Sequence, residues 1–393
     1  MVDRWRDAGD DSRLMIPYGR QSIDDEDIKA VVEVLRSDWL TTGPKVAEFE
    51  EAIANYAGAK YAVAVSSGTA ALHAAMYALG IGPGDEVIVP PMTFAATANC
   101  VFYMGGKPVF ADVDCETLLI DPDKVEEKIT KKTKAIIAVD YAGQPCDYDR
   151  LQAIADGYGL KLVADGCHAL GAEYKERKVG SLTDMTVFSF HPVKHITTGE
   201  GGMVTTDDPE LVRRMHLFRN HGIAADHQKR KQNGLWYYEM VDLGFNYRIT
   251  DIQCALGLSQ LKKLQGFLAR RRKIAKEYDR ALPNMEGIKP LLVRGNVLHA
   301  YHLYVVKLGD KLDRGEAFRQ LRKAGIWVNV HYIPVHLHPF YRKKFGTGEG
   351  LCSIAEAAYE RIFSLPIFPA MSEEDVKRVI GETAKVLERF QKN

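Results

Sequence analysis

Lys194 stands in Phe188-Ser189-Phe190-His191-Pro192-Val193-Lys194 and runs directly into the Gly-rich turn Thr197-Thr198-Gly199-Glu200-Gly201-Gly202. An amine placed there can condense with an aldehyde as a Schiff base. Upstream, the apolar run Leu160-Lys161-Leu162-Val163-Ala164 ends in Asp165 and is followed by His168. A lysine on an aldehyde and an acid beside a pyridine nitrogen are the two protein groups that pyridoxal-phosphate chemistry needs most. Singly, each is common in soluble proteins; the order and setting together carry the signal. A carboxylate buried at Asp165 without a cationic partner would be unfavourable. A protonated pyridine nitrogen supplies that partner, and the protonated ring withdraws electrons from the carbanion formed during proton transfer.

Ser66-Ser67-Gly68-Thr69 follows another apolar run and opens an Ala-rich helical stretch, so its backbone amides point at whatever lies above the helix N-terminus. Phosphate fits there. The plain alternative is an ordinary N-cap by Ser67 or Thr69. Ser189, five residues before Lys194, favours phosphate, because a hydroxyl and helix-terminal amides can grip one phosphate from two sides. Pro91-Met92-Thr93-Phe94 lies just after the run ending at Val89, at the edge where open parallel sheets take their ligands. Phe94 is therefore expected to stack on the pyridine ring rather than to be core, and Thr93 to meet substrate.

His168, His191 and His195 cluster in sequence with these groups, while His331-Tyr332-Ile333-Pro334-Val335-His336-Leu337-His338 holds a second set. That set has no Cys or acidic ligand at helical spacing and its Pro implies a loop, so substrate contact by His331 and Tyr332 is expected in place of a metal. Gly244-Phe245-Asn246-Tyr247-Arg248 is an unusual mixture for a structural turn and invites an anion. A capped helix start, with Asn246 or Thr250 as cap and Arg248 exposed, is the structural alternative.

These groups need a scaffold, and the first half of the chain supplies one. Seven short apolar or β-branched runs read as strands: Tyr61 to Val65, Glu86 to Val89, Lys107 to Ala111, Ala135 to Asp140, Leu160 to Ala164, Thr186 to Phe190 and Gly202 to Thr206. Helical patterns lie between several of them, as at Thr69 to Leu79 and Tyr148 to Tyr158. Alternating strand and helix implies an α/β fold with a mainly parallel sheet covered on both faces. Only eleven residues separate the last two runs, short of a parallel crossover, so one strand is expected to be antiparallel. A long helix from Asp251 to about Leu282 reads as the bridge to a smaller C-terminal α/β domain. There, strands at His302 to Lys307 and Trp327 to His331, a helix from Arg314 to Lys323, and a last helix opened by Ser372 with Asp375 as its capping partner are expected. The divisions are residues 1–14 as a flexible arm, 15–260 as the large domain, and 261–393 as the bridging helix and small domain.

The chain of 393 residues, 46% hydrophobic, can bury a large core. Lys plus Arg and Asp plus Glu both number 52, so no global field favours nucleic acid or an anionic membrane. The basic run Arg270-Arg271-Arg272-Lys273 reads as a solvated helix face. Six cysteines without CxxC pairing argue against a zinc site or a disulfide framework and for a reducing compartment. No apolar run approaches a membrane span and Met1 to Arg13 lacks a signal-peptide core, so a cytoplasmic protein is expected.

Taken in order, these residues closely resemble the nucleotide-sugar aminotransferases, a branch of the fold-type I pyridoxal-phosphate enzymes. The resemblance runs from about Tyr18 to Phe390 and rests on Ser67-Gly68-Thr69, Thr93-Phe94, Asp165 to His168, Ser189 to Lys194, the turn ending at Gly202, and Gly244 to Arg248. It implies a fold-type I large domain with a seven-stranded mainly parallel sheet. It further implies a homodimer with active sites at the interface, the Asn246 loop of one protomer reaching the cofactor phosphate of the other. Lys194, Asp165 and His168 are then catalytic. Ser67, Gly68, Thr69, Phe94, Ser189 and Asn246 hold cofactor, and Thr93, Arg248, His331 and Tyr332 meet substrate. The implied reaction has Lys194 hold pyridoxal phosphate, yield it to L-glutamate, and move a proton as general acid and base. Release of 2-oxoglutarate leaves pyridoxamine phosphate, which passes the amino group to a keto sugar. His191-Pro192-Val193-Lys194 and Trp236-Tyr237-Tyr238-Glu239 are most similar to the branch that aminates C4 of a UDP-4-keto-6-deoxy-N-acetylhexosamine on the way to pseudaminic acid. A dTDP- or GDP-linked sugar is the alternative. Relatives that act as sugar dehydratases resemble this chain with His in place of the lysine, so Lys194 speaks against that activity. A non-catalytic regulatory relative would be expected to lose Lys194, Asp165 or Ser189, and all three are present.

Overall fold

The Val-, Ile- and Ala-rich runs of the first half form one seven-stranded sheet in a computed structural model that describes residues 15–224 and 231–391. The expected arm, residues 1–14, lies outside the described residues. The strands are β1 (Tyr61–Val65), β2 (Glu86–Val89), β3 (Lys107–Phe110), β4 (Thr133–Val139), β5 (Lys161–Asp165), β6 (Met185–Ser189) and β7 (Gly202–Thr206). Their order across the sheet is β1-β7-β6-β5-β4-β2-β3. The pairs from β6 through β3 are parallel, and β7 runs antiparallel between β6 and β1. The short loop after β6 leaves no room for a crossover helix, so the chain turns straight back. Central residues such as Val63, Ile88, Ile137, Val163 and Val187 are fully buried, as the near-continuous apolar runs require of a sheet covered on both faces. Each contributes roughly 1.5–3 kcal/mol of hydrophobic stabilisation.

Two helices start at the sheet edge that matters. Helix α1 (Gly68–Leu79) follows β1 and is buried almost all round, which is why its sequence is Ala-rich with no polar face. It stops at Gly80, whose φ of 73° is a left-handed cap. Helix α2 (Ala96–Tyr103) follows β2.

Helix α3 (Asp251–Ala281) is capped by Thr250 and Gln253 in a reciprocal capping box and runs unbroken for 31 residues. Its first part packs Cys254, Leu264 and Leu268 with Phe49, Phe188 and Phe190, while Ile274, Ala275 and Tyr278 join a second cluster with Tyr304, Val306, Leu321 and Val379. Packing on two sides overturns the reading of this run as a solvated face for Arg271 and Arg272, while Lys273 is exposed and pairs with Glu373 at 2.7 Å as a solvated residue does. Arg271 is 1% exposed and donates to the carbonyls of Ile367 at 2.8 Å and Tyr301 at 3.1 Å. Arg272 donates to His299 and Gly171 carbonyls at 3.0 and 3.1 Å. Burial lowers the Arg271 pKa to about 10, and the carbonyls meet one terminal nitrogen of the guanidinium while its Nε is buried without a partner among the described residues. A rule for charge runs that assumes one free helix face fails where both sides are covered.

Strands β8 (Ile288–Pro290), β9 (Tyr304–Leu308) and β10 (Ile362–Leu365) form an antiparallel sheet, order β8-β9-β10. Helices α4 (Arg314–Lys323) and α5 (Glu373–Gln391) pack in the same region. Ser372 and Asp375 exchange the capping bonds expected of them, at 2.9 and 3.0 Å. The expected strand from Trp327 to His331 does not form. Pairing is confined to Ile326–Trp327 against Ile16–Pro17, with a lone bridge from Asn329 to Ser364. Side chains replace a ladder there: Ser364 and Asn329 bond the His331 ring, and the Tyr141 hydroxyl donates to the His331 carbonyl. Among the described residues no helix is long and apolar enough to cross a membrane.

Candidate active site

Strands β1, β2, β4, β5 and β6 all end at one edge of the sheet, and the residues singled out by chemistry follow those ends. After β1, Ser67 caps α1: its Oγ accepts from Ala70 N at 3.1 Å. The first-turn N–H groups of Gly68 and Thr69 have no partner among the described residues, as helix geometry leaves them. Ser189 ends β6 directly beside them, since a Cβ on Gly68 would lie 2.9 Å from that of Ser189. Strand β7 welds the two together, with Gly202 in register with both Ser189 and Val65. A Cβ on Gly202 would meet the Ser67 carbonyl oxygen at 2.2 Å. Gly202→Ala is therefore expected to displace the Ser67 turn, destabilising the fold by about 1–3 kcal/mol. Urea unfolding checks the effect.

Asp165 is the last residue of β5 and is 5% exposed. Thr97, in the first turn of α2, donates its hydroxyl to Asp165 Oδ2 at 2.7 Å, and Cys167 N donates to Oδ1 at 3.2 Å. The Thr93 hydroxyl lies 2.7 Å from that of Thr97. Thr93 was expected to meet substrate; it lines the cavity, but its hydroxyl is committed to this buried chain.

His168 sits below the mouth of the cavity with Nε2 at 3.0 Å from the Tyr332 hydroxyl and Nδ1 buried without a partner. Its ring lies 4.4 Å from that of His302. Burial first, and then the neighbouring Lys194, hold His168 well below the usual imidazole range, so the ring is neutral. Lys194 follows β6 in a turn closed by its own N–H on the His191 carbonyl at 2.9 Å. Its amine has no hydrogen-bond partner among the described residues. Burial lowers its pKa below the ordinary lysine value, while Cys167 and Asp165 pull the other way.

These side chains open on one cavity of about 530 Å³. It gathers Ser67, Gly68, Thr69, Thr93, Phe94, Asp165, His168, Ser189, Lys194, His331 and Tyr332 from the residues expected by sequence. Phe94 stands at the rim, 62% exposed, its ring 6.2 Å from that of Tyr332. His331 forms a wall rather than a free donor, since Ser364 and Asn329 occupy its two ring nitrogens at 2.9 and 3.3 Å. Sequence reasoning missed Thr97, Tyr18, Cys167, Glu200 and His302, which also line the cavity. Thr97 lies four residues after Thr93, and Cys167 and Glu200 lie inside segments already singled out, whereas Tyr18 and His302 left no local signal.

Two expected residues are elsewhere. Arg248 donates to Asn220 at 2.8 Å beside an open groove of about 1450 Å³, and Asn246 bridges to Asn220 on the same side. His336 and His338 do not reach the cavity either; His336 is buried against Glu356 at 2.8 Å. His195 is buried behind Lys194 on the Ala300 carbonyl, whereas exposed His191 lines the cavity. Among the described residues no group of three or more His, Cys, Asp or Glu is placed to hold a metal ion.

The sequence profile of the DegT/DnrJ/EryC1/StrS aminotransferase family matches residues 21–383. The spore coat polysaccharide biosynthesis protein SpsC of Bacillus subtilis is 45% identical over 370 residues, 93% of this chain and 95% of its own. Spr1654 of Streptococcus pneumoniae, described as a sugar aminotransferase and solved in PMP and PLP forms, is similar in structure. Its PMP form gives a TM-score of 0.91 at 35% identity, over 95% of this chain and 100% of that one. Helicobacter pylori PseC, an aminotransferase involved in the biosynthesis of pseudoaminic acid, gives 0.89 at 35% identity, over 95% and 100%.

Proposed function

The chain belongs to the DegT/DnrJ/EryC1/StrS aminotransferase family, and from that premise we propose that it moves an amino group from L-glutamate to C4 of a UDP-linked 4-keto-6-deoxy-N-acetylhexosamine, with pyridoxal phosphate as cofactor. The sugar class is supported by similarity to PseC and SpsC, and the C4 position by the segment His191 to Lys194. One observation carries the reading: a single cavity holds an unpartnered lysine amine, a buried carboxylate supplied only with neutral donors, and free helix-terminal N–H groups beside a serine hydroxyl.

That donor set fits pyridoxal phosphate. Gly68 N, Thr69 N and the Ser189 hydroxyl suit the phosphate, Asp165 the ring nitrogen, and the unpartnered amine of Lys194 the aldehyde. When bound, the cofactor supplies an aldehyde carbon and an electron-withdrawing ring. Asp165 holds the proton on the ring nitrogen. Lys194 would hold the aldehyde through its amine and, with that amine free and neutral, would serve as the general base and acid that moves a proton at Cα of the amino donor. His168, kept neutral and anchored by Tyr332, supplies a flat ring against the cofactor face. The cavity walls hold the reacting groups together and limit water.

Asn246 and Arg248, which do not line their own chain's cavity, are assigned to the site of a second protomer in a homodimer. Exposed Leu235, Trp236, Met240 and Leu243, in the segment that precedes Asn246 in sequence, offer apolar surface for that contact.

Activity is expected to fall at acid pH. Burial lowers the Lys194 pKa, so the neutral amine that accepts the proton is present above that lowered value and lost as pH drops through it. The limiting slope is roughly tenfold per pH unit. His331, lowered to about 3 by burial, and His168 are already neutral across that range and add nothing to the loss. A rate profile flat down to the point of unfolding would contradict it.

The function is tested by loading the protein with cofactor, bleaching its absorbance with L-glutamate, and adding a panel of UDP- and dTDP-linked 4-keto sugars. Recovery with the UDP-4-keto-6-deoxy-N-acetylhexosamine alone supports the assignment. Recovery with another sugar keeps the chemistry and moves the substrate, and no bleaching by glutamate removes the donor.

A further inference from the structure

We propose that Thr97, backed by Thr93, is a positioning residue that fixes the Asp165 carboxylate in the orientation that meets the ring nitrogen of the cofactor. The inference rests on the reading above that Asp165 is the ring-nitrogen partner. A carboxylate accepts and does not donate, so the 2.7 Å contact at Oδ2 has Thr97 as donor. With its one proton committed there, Thr97 must accept at its 2.7 Å contact with Thr93, which makes Thr93 the second donor. The two hydroxyls thus form a one-way chain, Thr93 to Thr97 to Asp165, with both residues at most 2% exposed. Hydrogen bonds in such a chain polarise one another in the same sense.

The rest of the surroundings leave this work to few groups. The titratable neighbours that couple to Asp165 are Cys100, Asp140, Cys167, Tyr148, Tyr332 and Lys194. Burial raises the thiols and phenols, which stay neutral, and Lys194 is the only group among them that can be a cation. While Lys194 is covalently linked to cofactor, the donors left on the carboxylate are Thr97 Oγ1, Cys167 N and the Cys167 thiol. A thiol is a weak donor, so Thr97 is the strong side-chain donor that a substitution can remove. Its place is set by the backbone, with Thr97 N donating to the Phe94 carbonyl at 3.2 Å in the turn that opens α2.

The experiment compares wild type, Thr97→Val, Thr97→Ser and Thr93→Val, each purified, freed of cofactor and titrated with pyridoxal phosphate. Half-saturation concentration, the absorbance spectrum of the loaded protein across pH, and kcat and KM for the sugar are read for each. Thr97→Val keeps shape and removes the donor, so affinity and kcat should each fall roughly ten- to hundredfold, as loss of a hydrogen bond to a charged group implies. Its spectral titration should shift while KM for the sugar changes little. Thr97→Ser restores the hydroxyl and should return all readouts close to wild type; Thr93→Val should give a smaller loss in the same direction. Should Thr97→Val fail to fold, the Ser and Thr93→Val pair decides. Wild-type affinity and spectra in Thr97→Val, or in Thr93→Val if that variant must serve alone, would overturn the proposal, as would Thr97→Ser damage equal to that of Thr97→Val. A wild-type protein that takes up no cofactor would instead remove the reading on which the proposal rests.

Discussion

Lys194→Ala is expected to lower turnover by at least about a thousandfold, because one side chain serves as both covalent anchor and proton carrier and a general acid–base group alone contributes 10²–10⁴. The fold should survive. The Lys194 amine makes no hydrogen bond that alanine would leave unpaired, and burial already disfavours its charge, as the lowered pKa records. Cofactor capture should survive in part if Gly68, Thr69 and Ser189, which lie together apart from the lysine, hold the phosphate end as proposed. Steady-state rates, a melting curve and a cofactor titration on one preparation distinguish this from general damage. A variant that keeps more than about a tenth of wild-type turnover, well above the smallest loss expected of a general acid–base group, would contradict the assignment.

Asp165→Asn is expected to reduce kcat by on the order of a hundred- to thousandfold with little change in stability, the scale seen when one preorganised electrostatic partner is removed. The replacement is nearly isosteric. Its carbonyl oxygen can still accept from Cys167 N, and its amide can donate to Thr97 if that hydroxyl turns round, so no buried polar atom need be orphaned. What disappears is the negative charge that, in the proposed arrangement, keeps the ring nitrogen protonated. Cofactor affinity should therefore fall as well, measured by the same titration. Full activity in Asp165→Asn would mean that the carboxylate does not meet the ring.

The two variants probe residues that local sequence made legible. Lys194, Asp165, Ser67 and Ser189 each lie at or just beyond the end of an apolar run, and a parallel sheet brings such ends to one edge whatever the rest of the chain does. The same reasoning found the antiparallel β7, because an eleven-residue loop cannot make a crossover. Residues delivered by long-range packing were not legible. Tyr18 reaches the cavity through a backbone bond from Ile367 at 3.1 Å, and His302 through a segment whose carbonyls hold Arg271. Nothing near Tyr18 or His302 in sequence announces those contacts. Thr93 was recognised, but its bond to Thr97 was not, since the direction of a buried hydroxyl is decided by the neighbour it finds. Arg271 and the lost strand after Trp327 share a cause: satisfaction of backbone carbonyls by side chains, which neither charge runs nor β-branched patterns reveal. Asn246 and Arg248 bond Asn220 and do not line the cavity of their own chain, a direction that sequence alone does not give.

The central claim is that Lys194, in the cavity it shares with Asp165 and the Ser67 turn, is the residue that carries the cofactor. Borohydride reduction of the loaded protein, followed by digestion and peptide mass mapping, tests it most directly. A phosphopyridoxyl label on the peptide containing Lys194, and its absence from the Lys194→Ala protein treated in parallel, is the result expected. A label on another lysine, or no label on a protein that aminates sugars, would contradict it.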